Sequence, residues 1–158
     1  TWQAAYRGLI PPKFLGELSP ERWEESYRAS LNRPGKPRAA VLWEGGRVAG
    51  VSSFQKARDE DLPEGFGEII SLYVLPECWG QGLGKLLTGW VLQRLKGAGH
   101  TACALWTLEE NLRARRLYEG QGFGWDGGRK HTSIGGGEVA QVRYRLALPP
   151  GTFEEAGL

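Results

Sequence analysis

Apolar residues recur along the chain in two rhythms. From Leu83 onward Leu86, Leu87, Trp90, Val91 and Leu95 fall at helical spacing, and Gly97 and Gly99 end the run. Trp23, Tyr27 and Leu31, following a Ser19-Pro20-Glu21 cap, predict a second amphipathic helix that ends near NRPGKPR. The segments AAVLWE and RVAGVSSF flank Gly45-Gly46, which supplies the positive φ angles of a tight hairpin, so both are read as antiparallel strands. After the polar loop KARDEDLPEG, GEIISLYVL is apolar nearly throughout, as a central strand covered on both faces must be. TACALWTL is the next strand and NLRARRLYEGQG a shorter helix closed by Gly120 and Gly122. EVAQVRYRLAL is a last strand with charge on alternate positions, and FGWDGGRKHTSIGGG holds a further strand ending in a mobile glycine turn. The resulting order, ββ, β, α, β, α, β, β, describes an α/β domain.

Composition narrows the function classes. The 158 residues, with 41% hydrophobic residues and seven Trp, suit one globular domain over 1–158. A formal charge of +2, with both signs dispersed, gives no basic footprint and argues against a nucleic acid partner. No apolar run reaches the roughly 18 residues of a membrane span and no secretory leader is visible, so a soluble protein without a membrane partner is expected. Cys78 and Cys103 form neither a disulfide framework nor a metal-ligand spacing, which favours a reducing, cytoplasmic setting and no metal. The absence of Met and the start at Thr1 suggest that an N-terminal element lies upstream. His100 and His131 read as surface residues without an assigned role.

The stretch YVLPECWGQGLGKLL carries the candidate chemistry. A glycine turn between a buried strand and a helix exposes backbone N–H groups at the positive end of the helix and favours an anion such as a phosphate. A Walker loop would need Gly at position 79 and a hydroxyl at position 86, where Trp79 and Leu86 stand. A dinucleotide fingerprint beginning at Gly80 and Gly82 would need a third Gly where Lys85 stands.

With those excluded, Gly82-x-Gly84 after an apolar strand resembles the acetyl-coenzyme A motif of the GNAT superfamily of N-acetyltransferases, in which Gln or Arg, two residues, Gly, one residue and Gly or Ala follow in order. Trp79 departs from the opening position. ENLRARRLYEGQGF resembles the same superfamily's later motif at Asn111, Ala114, Leu117, Tyr118, Gly122 and Phe123. The resemblance covers residues 38 to 148 in element order, and TWQAAYRGLIPPKFL is similar to the family's first-helix region, its first strand then lying upstream. It implies a single-domain GNAT-like fold: a central mixed, mostly antiparallel sheet flanked by helices, with the fourth and fifth family strands splayed.

What the resemblance implies about chemistry is specific to residues. The coenzyme's pantetheine arm would pair with main-chain groups near Leu72 and Val74, and its pyrophosphate would sit over Gln81, Gly82, Leu83, Gly84 and Lys85. Asn111 would bind the coenzyme arm, cap a helix, or do both. Tyr118, a neutral phenol at pH 7, is the expected proton donor to the leaving thiolate. Glu68, at the start of its strand and at the spacing of the catalytic glutamate of the histone-acetylating branch, is the candidate base; a solvent-facing strand end is the competing reading. The cosubstrate is then acetyl-CoA, with no metal, and the acceptor a primary amine of a small molecule or peptide that attacks directly, without a covalent enzyme intermediate. Trp2, Tyr6 and the last glycine turn line the acceptor site or belong to core and hairpin. The acidic DEDLPE either attracts a cationic amine or is a solvated loop. A catalytically silent acyl-CoA sensor and a nucleotide-phosphate-binding module are the rival classes, and a homodimer is left open.

Overall fold

A computed structural model describes residues 1–30 and 33–150, without the side chains of Trp23, Ser26, Tyr27 and Ser30. Three helices come first: α1 (Trp2–Ala5), α2 (Pro12–Gly16) and α3 (Pro20–Ser30). The first-helix region is thus broken in two, because Pro12 opens a new helix at the position where a missing N–H is harmless. The expected stripe of Trp23, Tyr27 and Leu31 on α3 lies outside the described residues and side chains.

Six strands follow, β1 (Arg38–Glu44), β2 (Arg47–Lys56), β3 (Phe66–Val74), β4 (Ala102–Leu108), β5 (Gly124–Ile134) and β6 (Gly137–Ala147). Helix α4 (Leu83–Gly97) links β3 to β4, and α5 (Leu112–Glu119) links β4 to β5. The sheet order is β1-β2-β3-β4-β6-β5, antiparallel except for the central β3/β4 pair. Gly45 and Gly46, at φ 56° and 79°, close the expected β1–β2 hairpin.

That parallel pair positions the site. Only four residue pairs join β3 to β4, from Phe66↔Ala102 to Ile69↔Leu105. Beyond them β3 stays with β2 as far as Val74, while β4 stays with β6 as far as Leu108, so a wedge opens between the strands. The splay implied by the resemblance is present. A bulge at Ile70, where β2 pairs Phe54 with Ile69 and Ser53 with Ser71, reverses the alternation of side chains. Val74 therefore faces Gly84 of α4, while Tyr73 faces Trp2 of α1, their rings 6.3 Å apart.

Helix α4 covers one sheet face through Leu87, Val91, Leu92 and Leu95, packed with Phe54, Ile69, Cys103, Leu105 and Tyr144. A Cβ on Gly67 would stand 2.6 Å from Leu95, so glycine is what allows this close approach. Two residues of the expected stripe turn outward: Leu86 and Trp90 are exposed, the latter beneath the Arg94 guanidinium. Leu92, missed by that spacing, is buried instead.

On the other face Ile10, Leu15 and Leu108 form a second core, with Tyr6, Phe14, Ile134 and Val139 against it. Gly135 and Gly136 turn β5 into β6 with positive φ angles, and a Cβ on Gly135 would lie 2.3 Å from the Cβ of Phe14. The turn expected to be mobile is packed under α2. Arg143, one of the alternating charges of the last strand, is itself buried and faces a cluster of carboxylates. Its guanidinium binds Asp126, Asp59 and Asp61 at 2.7, 3.1 and 2.6 Å, and Arg145 also binds Asp126. The acidic β2–β3 loop is thereby fastened to β6, with Asp59 also accepting the Trp106 indole N–H.

Candidate active site

Two adjoining cavities occupy the wedge. The larger, of about 270 Å³, runs from β3 across the glycine turn to α5. The smaller, of about 170 Å³, lies between the parted ends of β3 and β4, roofed by α1. Tyr6, Leu72, Tyr73, Asn111, Ala114 and Tyr118 line both.

The larger cavity is built from main chain. Leu75 donates its N–H to Ala49 on β2, so strand alternation points the peptide groups of Val74 and Leu72 the other way, into the wedge. The Val74 carbonyl accepts the Trp79 indole N–H at 2.8 Å. Gly82, left-handed at φ 78°, starts α4 without a side-chain cap. The N–H groups of Leu83, Gly84 and Lys85 in the first turn therefore point outward, at the positive end of the helix dipole. A Cβ on Gly84 would lie 3.2 Å from Leu117, so this glycine also lets α5 pack against α4.

Leu72, Val74, Gly82, Leu83, Gly84, Lys85, Asn111 and Tyr118 all line this cavity. Gln81 does not; its side-chain amide donates to the Glu77 carbonyl at 3.1 Å. Asn111 is the N-cap of α5, accepting the Ala114 N–H at 3.2 Å. Tyr118 is buried edge-on to Phe123, and burial pushes its hydroxyl well above the usual phenol range. Burial also raises Tyr6, which is hydrogen-bonded to Tyr73.

Glu68 lines neither cavity. It is buried in β3 and accepts the Arg58 guanidinium through both oxygens, at 2.7 and 2.9 Å. The cysteines are both buried, and burial pushes the Cys103 thiol up to about 12, so it offers no thiolate at neutral pH. Among the described residues no cluster of three or more His, Cys, Asp or Glu side chains could hold a metal ion. No helix there is long and apolar enough to cross a membrane.

Sequence reasoning missed Arg113. It stands on α5, lines the larger cavity, and lays its guanidinium 3.1 Å from the centre of the Trp79 ring. Burial lowers its affinity for its proton. The signal available in sequence was the departure at Trp79 itself: an indole in place of a polar side chain calls for a partner across the fold.

Comparison with known proteins agrees with this architecture. The Acetyltransferase (GNAT) family profile matches residues 2–123. A probable N-acetyltransferase of Mycobacterium tuberculosis is 33% identical over 159 aligned positions, covering 95% of this chain and 85% of that protein. Among solved structures, the ribosomal-protein-alanine N-acetyltransferase of Brucella melitensis superposes with a TM-score of 0.71 at 19% identity, over 92% of this chain and 88% of that one. The yncA protein of Salmonella typhimurium, solved with its cofactor acetyl-CoA, gives 0.62 at 22% identity over 86% and 76%. A strand that parts from its parallel neighbour, a bare helix N-terminus beside the gap and a profile match over most of the chain together make it a member of the GNAT family of acetyltransferases.

Proposed function

We propose that this chain transfers the acetyl group of acetyl-CoA to a primary amine by direct attack. The observation that carries the reading is the meeting of the two cavities at Tyr118, one lined by anion-seeking main chain and the other open to an acceptor. The residues present suit the coenzyme. The uncapped first turn of α4 favours its pyrophosphate, with Gln81 contributing main chain only and Lys85 and Arg113 supplying positive charge nearby. Peptide groups of Leu72 and Val74 lie along the path of the pantetheine arm, and an N–H there would stabilise charge developing on the thioester oxygen. The amine nitrogen forms its bond to the acetyl carbon as the C–S bond breaks. Tyr118 then donates a proton to the departing thiolate.

The amine must also lose a proton. Glu68 could take it only after release from Arg58, and a water held at the Tyr6–Tyr73 pair, which borders both cavities, needs no such rearrangement. We favour the water. The test is calorimetric titration of acetyl-CoA followed by thiol release with a panel of amines. Saturable binding with release for at least one amine class is expected, and no binding would overturn the reading.

A further inference from the structure

The smaller cavity has a wall of unusual composition. Sixteen described residues line it and none is Asp, Glu, Lys, Arg or His. We infer that the acceptor is an α-amine, carried on a carbon next to a carbonyl, and not the ε-amine of lysine or a polyamine; this rests on the transferase reading above.

An ammonium that leaves water for a neutral wall loses hydration with no carboxylate to replace it, so the site favours the amine already neutral. The charges behind the wall are engaged or positive, while Glu110, beside Asn111, is exposed and lies outside the lining, and Glu109 is bound by Arg129. Glu68, on β3, is bound by Arg58. Asp59, behind Trp106, holds that indole and Arg143. Lys130 of β5 lies 4.0 Å from the centre of the Trp106 ring, and Arg113 of α5 stands on the coenzyme side. Tyr6 and Tyr118 keep their protons because burial raises both.

A lysine-like amine with a pKa of ~10.4 is neutral in about one molecule per thousand near pH 7.5, whereas an α-amine at ~7.8 is neutral in roughly a third. The neutral population differs by roughly two hundred and sixtyfold. The stronger nucleophilicity of the lysine amine offsets part of this, leaving an expected preference of at least about tenfold. The polar groups that the wall does present are neutral: Ser71 from β3, Thr107 from β4, Asn111 and, from β6, Gln141. Such groups suit the carbonyl and amide N–H that flank an α-amine.

The experiment uses one lysine-containing peptide in two forms, blocked at the α-amine or at the ε-amine, with alaninamide as the small-molecule source of the same chemistry. Thiol release is followed from pH 6.5 to 9.5, and mass spectrometry locates the acetyl group. The expected result is kcat/KM at least about tenfold higher for the free α-amine at pH 7.5, with the peptide and alaninamide arms separating the two sources. Equal or preferred ε-acetylation overturns the inference, as does transfer to none of the three acceptors. Calorimetry on the same samples keeps the two readings apart: bound acetyl-CoA with the wrong acceptor overturns this inference alone, while no bound acetyl-CoA removes the transferase as well. Gln141→Glu, which places one carboxylate in the wall, is expected to narrow the α/ε ratio at least about threefold; an unchanged ratio would show that wall charge does not set it.

Discussion

At the scale of single residues, three side chains test the proposed chemistry. Removing the Tyr118 hydroxyl as Tyr118→Phe should lower kcat by about a hundredfold or more, while calorimetry finds acetyl-CoA affinity nearly unchanged, since a proton donor acts in the transition state. Arg113→Ala should weaken acetyl-CoA binding by roughly tenfold, an effect that shrinks at high ionic strength. Glu68→Gln discriminates between base and anchor: with Arg58 left exposed to water, turnover should stay within about threefold while Tm falls by a few degrees. A collapse in kcat with unchanged Tm would instead restore Glu68 as the base. These residues were unequally legible. Asn111 and Tyr118 sit inside a spaced motif whose geometry is local, so sequence places them. Arg113 and the engagement of Glu68 depend on Trp79 and Arg58, each brought across the fold from another element, and no local spacing encodes that.

At the scale of elements, hairpins and helix limits were readable because glycines and prolines act on their own backbone. The Gly45-Gly46 turn and the start of α4 needed nothing from elsewhere. Facing directions were less so. An apolar strand such as β3 carries no alternation to betray its bulge, and Leu86 and Trp90 share helical spacing with residues that pack while projecting past the sheet. The β2–β3 loop looked solvated because nothing in its own sequence shows that Asp59 and Asp61 share a partner from another strand; Arg143 arrives from β6. That cluster has a pH signature. Hydrogen bonding from Arg143 holds Asp61 below its ordinary range, and for Asp126 the Gly128 N–H and Arg143 outweigh the upward push of burial. Both carboxylates thus have folded-state pKa values below their unfolded ones, so their contribution is present above about pH 4 and is lost as pH falls further. Arg143→Met should therefore lower Tm at pH 7, because Asp59 and Asp61 lose their guanidinium partner and Asp126 keeps only Arg145 and the Gly128 N–H, and the gap from the parent should close in melts run below about pH 4.

At the scale of the whole molecule, acetyl-CoA should act as a stabilising ligand. At about a hundred times Kd it should add about 2.7 kcal/mol, which for a domain of this size corresponds to a Tm increase of roughly 5–10 °C. Failure of Tm to rise at saturating coenzyme would contradict binding to the folded state. The seam between β3 and β4 gives this linkage a mechanical side. Three strands lie on each side of it, β1-β2-β3 and β4-β6-β5, and four residue pairs are all the sheet contributes to joining them. The Asp59 and Asp61 links to Arg143 tie the two leaves together beside Trp106, the β4 residue just past the last β3–β4 pair. At the open end a ligand lying along Leu72 and Val74 would be the binding of the book, stiffening the opening angle between the leaves. Deuterium uptake in the outer half of β3 would then report that stiffness, slowing as the gap is filled, with the inner half already slow.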